Sequence, residues 1–403
     1  MTALYRLWCR TYQAAFRLAW PFIDLREPTL LSGPGAIQKL PEIIFSSGID
    51  RVLLVTDTGL VKAGLVDPLV ERMTRQGIAV DVYDGTVPNP TVDNVEAALS
   101  RYQAFSAKAL VALGGGSAMD VAKAVGARVA NPRKSVKSMR GVLKVRRPIP
   151  PLYAIPTTAG TGSEATLAAV VTDPSDKSKF AINDPVLVPA MAVLDPRLTV
   201  SLPPHVTAAT GIDALTHAVE AYIGSSNTAR TRRYAREAVR LVFGNLKRAC
   251  ADGSDIIARG HMQRAAYVAG LAFTRAYVGN VHAIAHTLGG FANVPHGLAN
   301  AVVLPYVLDF YGDRAARRLS ELAVEAGVAD AASSVRENAN RFVQAIRALN
   351  ESVGIPVRFA PGTFLAEDLD AMVAHAMREA NPLYPVPIIM DAAAFRSIYE
   401  KIQ

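Results

Sequence analysis

The sequence predicts an α/β domain with a parallel, Rossmann-like sheet, followed by an all-helical domain. Three observations carry this expectation. Short apolar runs alternate with helical stretches from Pro28 to about residue 200. From His205 onward the chain reads as helix after helix, rich in Ala, Leu and Arg with few β-branched runs. Two glycine-bearing turns follow directly on strand runs, where doubly wound sheets receive their ligands. The expected bounds are 1–27 for an N-terminal extension, 28–200 for the α/β domain and 201–403 for the helical domain.

The elements follow in order. Thr2 to Trp20 carries Arg6, Arg10, Gln13 and Arg17 on one narrow helical face. Leu4, Trp8, Tyr12, Ala15 and Ala19 lie opposite. Such a helix either docks on its own protein or a partner subunit, or lies on an anionic membrane. Docking is favoured, because amphipathic helices mostly face protein cores. The segment lacks the continuous apolar core and small-residue cleavage site of a signal peptide. Arg51–Thr56, Ile78–Tyr83, Ala109–Leu113 and Pro151–Ile155 are short and apolar, as buried parallel strands are. Val92 to Ala104 and Ala118 to Val129 are the helices between them. No repeat or low-complexity segment interrupts the pattern.

Composition narrows the function classes. At 403 residues the chain can bury two cores. It is 50% hydrophobic and 19% charged, a balance typical of folded soluble enzymes. The net charge is +8, but the Lys and Arg are scattered, without runs interleaved with aromatics, so nucleic acid is not an expected partner. Cys9 and Cys250 are the only cysteines, which excludes a disulfide framework and a thiolate metal cluster. A reducing, cytoplasmic setting fits, with peripheral contact to the inner membrane face through residues 2–20 as the added expectation. No apolar stretch approaches the roughly 20 residues of a spanning helix.

Gly114-Gly115-Gly116-Ser117, between a strand and a helix, is suited to a pyrophosphate. Glycine lets the backbone approach the oxygens, and free amides at the helix start donate to them. The run matches neither GxGxxG nor GxxxxGK[ST]. Asp57 ends an earlier strand, where it either accepts from a ribose 2′-hydroxyl, disfavouring NADP, or merely caps a helix. Taken alone, the cap is favoured. Thr157, Thr158, Thr161 and Ser163 line the other turn, some facing ligand and some only capping backbone.

Four of the seven histidines fall in two short segments, Gly211–Tyr222 and His282–Gly297. Asp213 and His217 are i, i+4 on a helix, as are His282 and His286. His296 is expected in a turn between Pro295 and Gly297, swinging in from outside a helix. Among these five candidates, one oxygen and three nitrogens suit Fe²⁺ or Zn²⁺ and are too nitrogen-rich for Mg²⁺ or Ca²⁺.

These motifs together resemble the iron-containing, or group III, alcohol dehydrogenases of the dehydroquinate synthase-like fold. The resemblance rests on Gly114–Lys123, on Pro156–Glu164 and on the two histidine segments, and runs from about Leu30 to the C-terminus. It implies metal ligation by Asp213, His217, His282 and His296, with Fe²⁺ as the native ion and Zn²⁺ also compatible with the donors. It implies NAD contacts from Asp57, Gly115, Gly116, Ser117, Thr157 and Thr158, with Asn89, Pro90 and Lys179 also near the cofactor. His286 matches a histidine close to substrate and nicotinamide. Hydride would pass between a carbinol carbon and nicotinamide, the cation polarising the substrate oxygen. His286 would either relay the proton or only shape the pocket. Ala272-Phe273 and Phe291-Ala292 suggest an aliphatic primary alcohol or its aldehyde as substrate. A polyol dehydrogenase and a maleylacetate-type reductase are the rivals on the same fold. A lyase is disfavoured because Ala, Leu, Phe and Gly flank the histidines, not the Lys and Arg a phosphorylated substrate needs. A noncatalytic membrane-associated protein is disfavoured by the intact ligand and glycine motifs. A homodimer or larger homo-oligomer is expected.

Overall fold

The computed structural model describes residues 2–19, 25–175 and 178–403. Trp20 and the rest of 20–24, part of the expected extension, lie outside the described residues, as does the side chain of Ala19. The chain divides into two compact units at Ser201/Leu202, and the N-terminal helix α1 (Ala3–Ala19) belongs to the second, helical unit rather than standing apart.

Among the described residues, the first unit is built on nine strands. They are β1 (Thr29–Ser32), β2 (Arg51–Val55), β3 (Ala79–Tyr83), β4 (Ala109–Gly114), β5 (Gly141–Val142), β6 (Leu152–Pro156), β7 (Ala168–Asp173), β8 (Ser178–Asn183) and β9 (Met191–Leu194). Six form a parallel sheet in the order β1-β9-β6-β4-β2-β3. The helices of this unit are α2 (Leu40–Ser46), α3 (Thr58–Lys62), α4 (Asp67–Arg75), α5 (Val92–Ala104) and α6 (Gly116–Ala130). The pleat sends alternate side chains into two cores. Leu53, Val55, Leu110, Ala112 and Leu152 join Val95, Leu99 and Met119 from α5 and α6. Val52, Leu54, Val111, Leu113 and Ile155 join Leu40, Ile44, Leu69 and Met73 from α2 and α4. Two-sided burial is why these strands read as unbroken apolar runs.

A small second sheet, β5-β8-β7, departs from the simple alternation, since β7 and β8 run antiparallel. A bridge from Thr91 to Thr172 and the bond from Thr172 N to Pro90 O fasten the loop before α5 to β7.

The second unit adds α7 (Pro204–Ile223), α8 (Ala229–Ala251), α9 (Ile256–Ala276), α10 (Asn280–Ala292), α11 (His296–Tyr311), α12 (Asp313–Glu325), α13 (Val335–Ser352), α14 (Leu369–Ala380) and α15 (Ala392–Ile402). Pro204 opens α7, where its missing N–H costs nothing. From Gly211 to Ile223 every residue of α7 is buried, so beyond its exposed first turn the helix has no solvent face. The helix α1 docks on this unit with its polar face inward. Arg10 donates to Val386 O and Pro387 O, and Gln13 to Pro382 O and Tyr384 O. Leu4, Leu7, Trp8 and Leu18 point outward. The docking expectation holds, but with the polar stripe rather than the apolar one against the protein.

Candidate functional site

In the helical unit, α7, α10 and α11 bring four predicted ligands together. One ligand atom each from Asp213, His217, His282 and His296 lies within 4.8 Å of all the others. Asp213, His217 and His282 are buried and His296 is half-buried. Asp213 and His217 share one face of α7, as their spacing requires. His296 differs from expectation. It is the first residue of α11, not a turn residue, with Pro295 as N-cap. The next residue explains its placement. A Cβ at Gly297 would stand 2.5 Å from Ala209 O, so only glycine lets the start of α11 lie against the backbone of α7.

The donors are held from behind. Glu220, one turn beyond His217 on α7, accepts from Gly279 N and Val281 N at 2.8 Å and meets His282 Nδ1 at 2.6 Å. That contact leaves His282 Nε2 to face Asp213, in the carboxylate–imidazole arrangement that aims metal-binding histidines. Burial pushes the Glu220 carboxyl up to about 8, against the pull of the backbone N–H groups of Gly279, Val281 and His282. Burial, followed by the neighbouring His217, His296 and His286, holds His282 well below the ordinary imidazole range, so it presents a lone pair. Buried Asn300 donates from Nδ2 to Asp213 Oδ1 at 2.6 Å, and the same nitrogen lies 3.2 and 3.1 Å from Nε2 of His282 and His296. Three acceptors thus converge on one partially positive nitrogen. This arrangement and the buried oxygen–nitrogen set fit a borderline divalent cation such as Fe²⁺ or Zn²⁺.

His286 is not among the converging four. Its ring lies 5.1 Å from that of His296, and its Nδ1 is 2.5 Å from Glu379 Oε1 on α14. Tyr384 donates to the same oxygen at 2.8 Å. Phe273 stacks on His217 at 4.2 Å, making one wall apolar, whereas Phe291 is exposed and packs edge-on to His375.

In the α/β unit, the C-terminal ends of three neighbouring strands carry the predicted cofactor residues. Asp57 follows β2, Gly115–Ser117 follow β4, and Thr157 and Thr158 follow β6. The chain leaves β2 toward β3 and leaves β4 toward β6, so Asp57 and the glycines flank the topological switch point. Gly115 is the N-cap of α6 and brings no side-chain cap to the first amides. A Cβ on Gly116 would stand 2.9 Å from Thr161 Cγ2. Asp57 also has the capping role, accepting from Leu60 N at 3.0 Å. Asn89 and Lys179 are brought together, Lys179 Nζ donating to Asn89 Oδ1 at 3.0 Å, with Pro90 fastened to β7 beside them. Ser163 is engaged elsewhere. Its hydroxyl and carbonyl accept from Lys123, which also donates to the Thr166 hydroxyl and to the carbonyls of Thr166 and Ala168.

Sequence reasoning passed over Glu220, Asn300, Glu379, Tyr384 and Lys123. Glu220 carries a signal, since it stands at i+7 from Asp213 and i+3 from His217. Lys123 sits in the glycine-loop motif without an assigned role. Glu379 and Tyr384 reach His286 only through tertiary structure.

Residues 28–196 match the iron-containing alcohol dehydrogenase family, and residues 207–403 match the C-terminal part of the Fe-containing alcohol dehydrogenase family. The chain is 38% identical over 346 residues to lactaldehyde reductase of Escherichia coli (strain K12), covering 86% of this chain and 90% of that protein. It is similar to the crystal structure of a 1,3-propanediol oxidoreductase, with 35% identity, TM-score 0.90 and coverage of 94% and 99%. It is also similar to sulfoacetaldehyde reductase from Bifidobacterium kashiwanohense in complex with NAD⁺, with 29% identity, TM-score 0.83 and coverage of 94% and 98%.

Proposed function

Because the chain belongs to the iron-containing alcohol dehydrogenase family and is an oxidoreductase, we propose that it interconverts a primary aliphatic alcohol and its aldehyde with NAD. The observation that carries this reading is the convergence of Asp213, His217, His282 and His296 within 4.8 Å. These four residues would hold Fe²⁺, with Zn²⁺ compatible with the same donors. When bound, the ion supplies Lewis acidity toward the substrate oxygen.

Asp57, Gly115, Gly116, Ser117, Thr157 and Thr158 would hold NAD, with Asn89, Pro90 and Lys179 as a second group of contacts. The free amides at the start of α6 suit its pyrophosphate, and the Asp57 carboxylate disfavours a 2′-phosphate. The NAD⁺-bound relative supports the choice of cofactor class. When bound, NAD would supply the hydride acceptor, and oxidation of the alcohol would also release one proton. His286 takes the proton, its Nδ1 fixed by Glu379 so that the opposite nitrogen is the working one. Phe273 against His217 excludes water from one side and favours an alkyl chain over a polyol.

Metal analysis of anaerobically purified protein, joined to an NAD-reduction screen across alcohol chain lengths, tests the reading. Turnover with iron or zinc that peaks on primary alkanols is expected. A metal-loaded protein that reduces neither NAD nor NADP with any alcohol overturns it. For the outward apolar face of α1 we propose contact with a membrane surface through Leu4, Leu7, Trp8 and Leu18. Equal flotation with liposomes by full-length protein and protein lacking 2–19 counts against it.

A further inference from the structure

The segment Pro382-Leu383-Tyr384-Pro385-Val386-Pro387 joins α14 toward α15 and contains three prolines. Proline has no N–H, so this stretch has few donors of its own: Val386 N reaches Tyr384 O, and the other carbonyls rely on donors from outside. Four carbonyls of the segment find donors on α1. Gln13 Nε2 reaches Tyr384 O at 2.8 Å and Pro382 O at 3.0 Å. Arg10 reaches Val386 O at 2.8 Å and Pro387 O at 2.9 Å, and also donates to Gln13 Oε1 at 2.9 Å. Arg10 and Gln13 are i, i+3, so one helical face presents both. Arg6 continues the line to Asp391, the residue that caps α15. Gln13 is only 4% exposed, so its amide is committed to these carbonyls.

What the clamp holds matters for chemistry. Tyr384 N bonds to Ala380 O at the end of α14, and its hydroxyl donates to Glu379 Oε1, the oxygen that meets His286 Nδ1. Hydrogen bonds joined through the covalent body of Tyr384 therefore link Gln13, by way of the Tyr384 carbonyl, the Tyr384 hydroxyl and Glu379, to His286.

We propose that α1 is a built-in brace of the active site, with Gln13 and Arg10 as positioning residues that act through Tyr384 and Glu379 to orient the His286 ring. This rests on His286 handling the proton, as proposed above. Residues outside 28–403, beyond the matched family regions, thereby become part of the catalytic apparatus of this chain.

The test uses the full-length, metal-loaded protein with Gln13→Ala, Arg10→Lys, Tyr384→Phe and the double variant Gln13→Ala/Tyr384→Phe. Gln13→Ala should lower kcat by roughly ten-fold, since a 1 Å misplacement of a working group can cost about 10²-fold and a smaller one less. KM for NAD and bound metal should not change. Arg10→Lys keeps a donor and should retain most of kcat. The double variant should fall no further than the worse single one, because both substitutions break one chain. Amide hydrogen exchange at Leu383, Tyr384 and Val386 should speed up in Gln13→Ala and stay native in Tyr384→Phe. Additive losses, or a Gln13→Ala protein with native kcat, overturn the brace while leaving the dehydrogenase reading intact. If Gln13→Ala fails to fold, Tyr384→Phe and Arg10→Lys carry the test, and native kcat in Tyr384→Phe overturns it. If the wild type reduces no nicotinamide, the dehydrogenase reading falls, and unchanged exchange at these amides in Gln13→Ala would remove the brace separately.

Discussion

Replacing Glu220 with Gln removes one acceptor oxygen from a place where three donors meet. Oε2 serves Gly279 N and His282 Nδ1, and Oε1 serves Val281 N. A glutamine offers one carbonyl oxygen and one NH₂, so in either orientation at least one buried N–H faces another donor. An unsatisfied buried donor costs about 1–3 kcal/mol. Loss of a carboxylate behind a metal-binding imidazole lowers metal affinity by roughly 10- to 100-fold. At about 1.4 kcal/mol per ten-fold, those two ranges agree. The assay is anaerobic competition of Fe²⁺ or Zn²⁺ between protein and a chelator, with thermal melting as a control for folding. The outcome against the reasoning is a Glu220→Gln protein that melts normally and holds metal as the wild type does. That would mean Glu220 is protonated, as burial alone favours, and that Gln is its mimic. With His282 Nε2 turned to a cation, its Nδ1 carries the proton, and a protonated Glu220 would then set an O–H against an N–H.

Three further predictions follow from the α/β unit. Lys123→Met strips the donor from three carbonyls and two hydroxyls in a buried site, and should destabilise by about 3–5 kcal/mol while raising KM for NAD; an unmoved urea midpoint would contradict this. Burial pushes Glu164 up to about 7 from an ordinary value of 4.5, so its neutral form stabilises the fold below that ordinary value and this contribution fades as pH rises through 7. Glu164→Gln should therefore melt above wild type at alkaline pH by up to about 3 kcal/mol, and the gap should close in acid; a pH-independent gap refutes it. Asp57→Ala loses the cap on Leu60 N, worth about 1 kcal/mol, and should narrow the preference for NAD over NADP in kcat/KM. An unchanged ratio would reduce Asp57 to a cap alone.

The strands that could be found from sequence are those buried on both faces. Arg51–Val55, Ala109–Gly114 and Leu152–Pro156 are apolar throughout apart from Arg51 and the glycine that closes the second. Strands β1 and β9 escaped because four residues are too few to show a period. Strand β7 alternates half-buried and buried residues, a pattern that identifies an antiparallel neighbour only once β8 is beside it. The histidine cluster was legible because i, i+4 spacing is a local, helical property. His296 was misassigned to a turn because the Pro-His-Gly sequence looks the same in a loop and at a helix start, and Pro295 serves as the N-cap. Glu379 and Tyr384 had no such signal, since their relation to His286 depends on how α14 and the proline segment pack. The direction α1 would face was also hidden. Its polar stripe is inward, where Arg10 and Gln13 donate to carbonyls of residues 382–387.

The touch between Gly297 and Ala209 O works as a fixed gauge. No adjustable side chain lies between the two backbones there, so neighbouring repacking has little leverage on how far His296 stands from Asp213. Efforts to retune which ion this protein prefers should therefore exchange the liganding side chains and leave this spacing untouched.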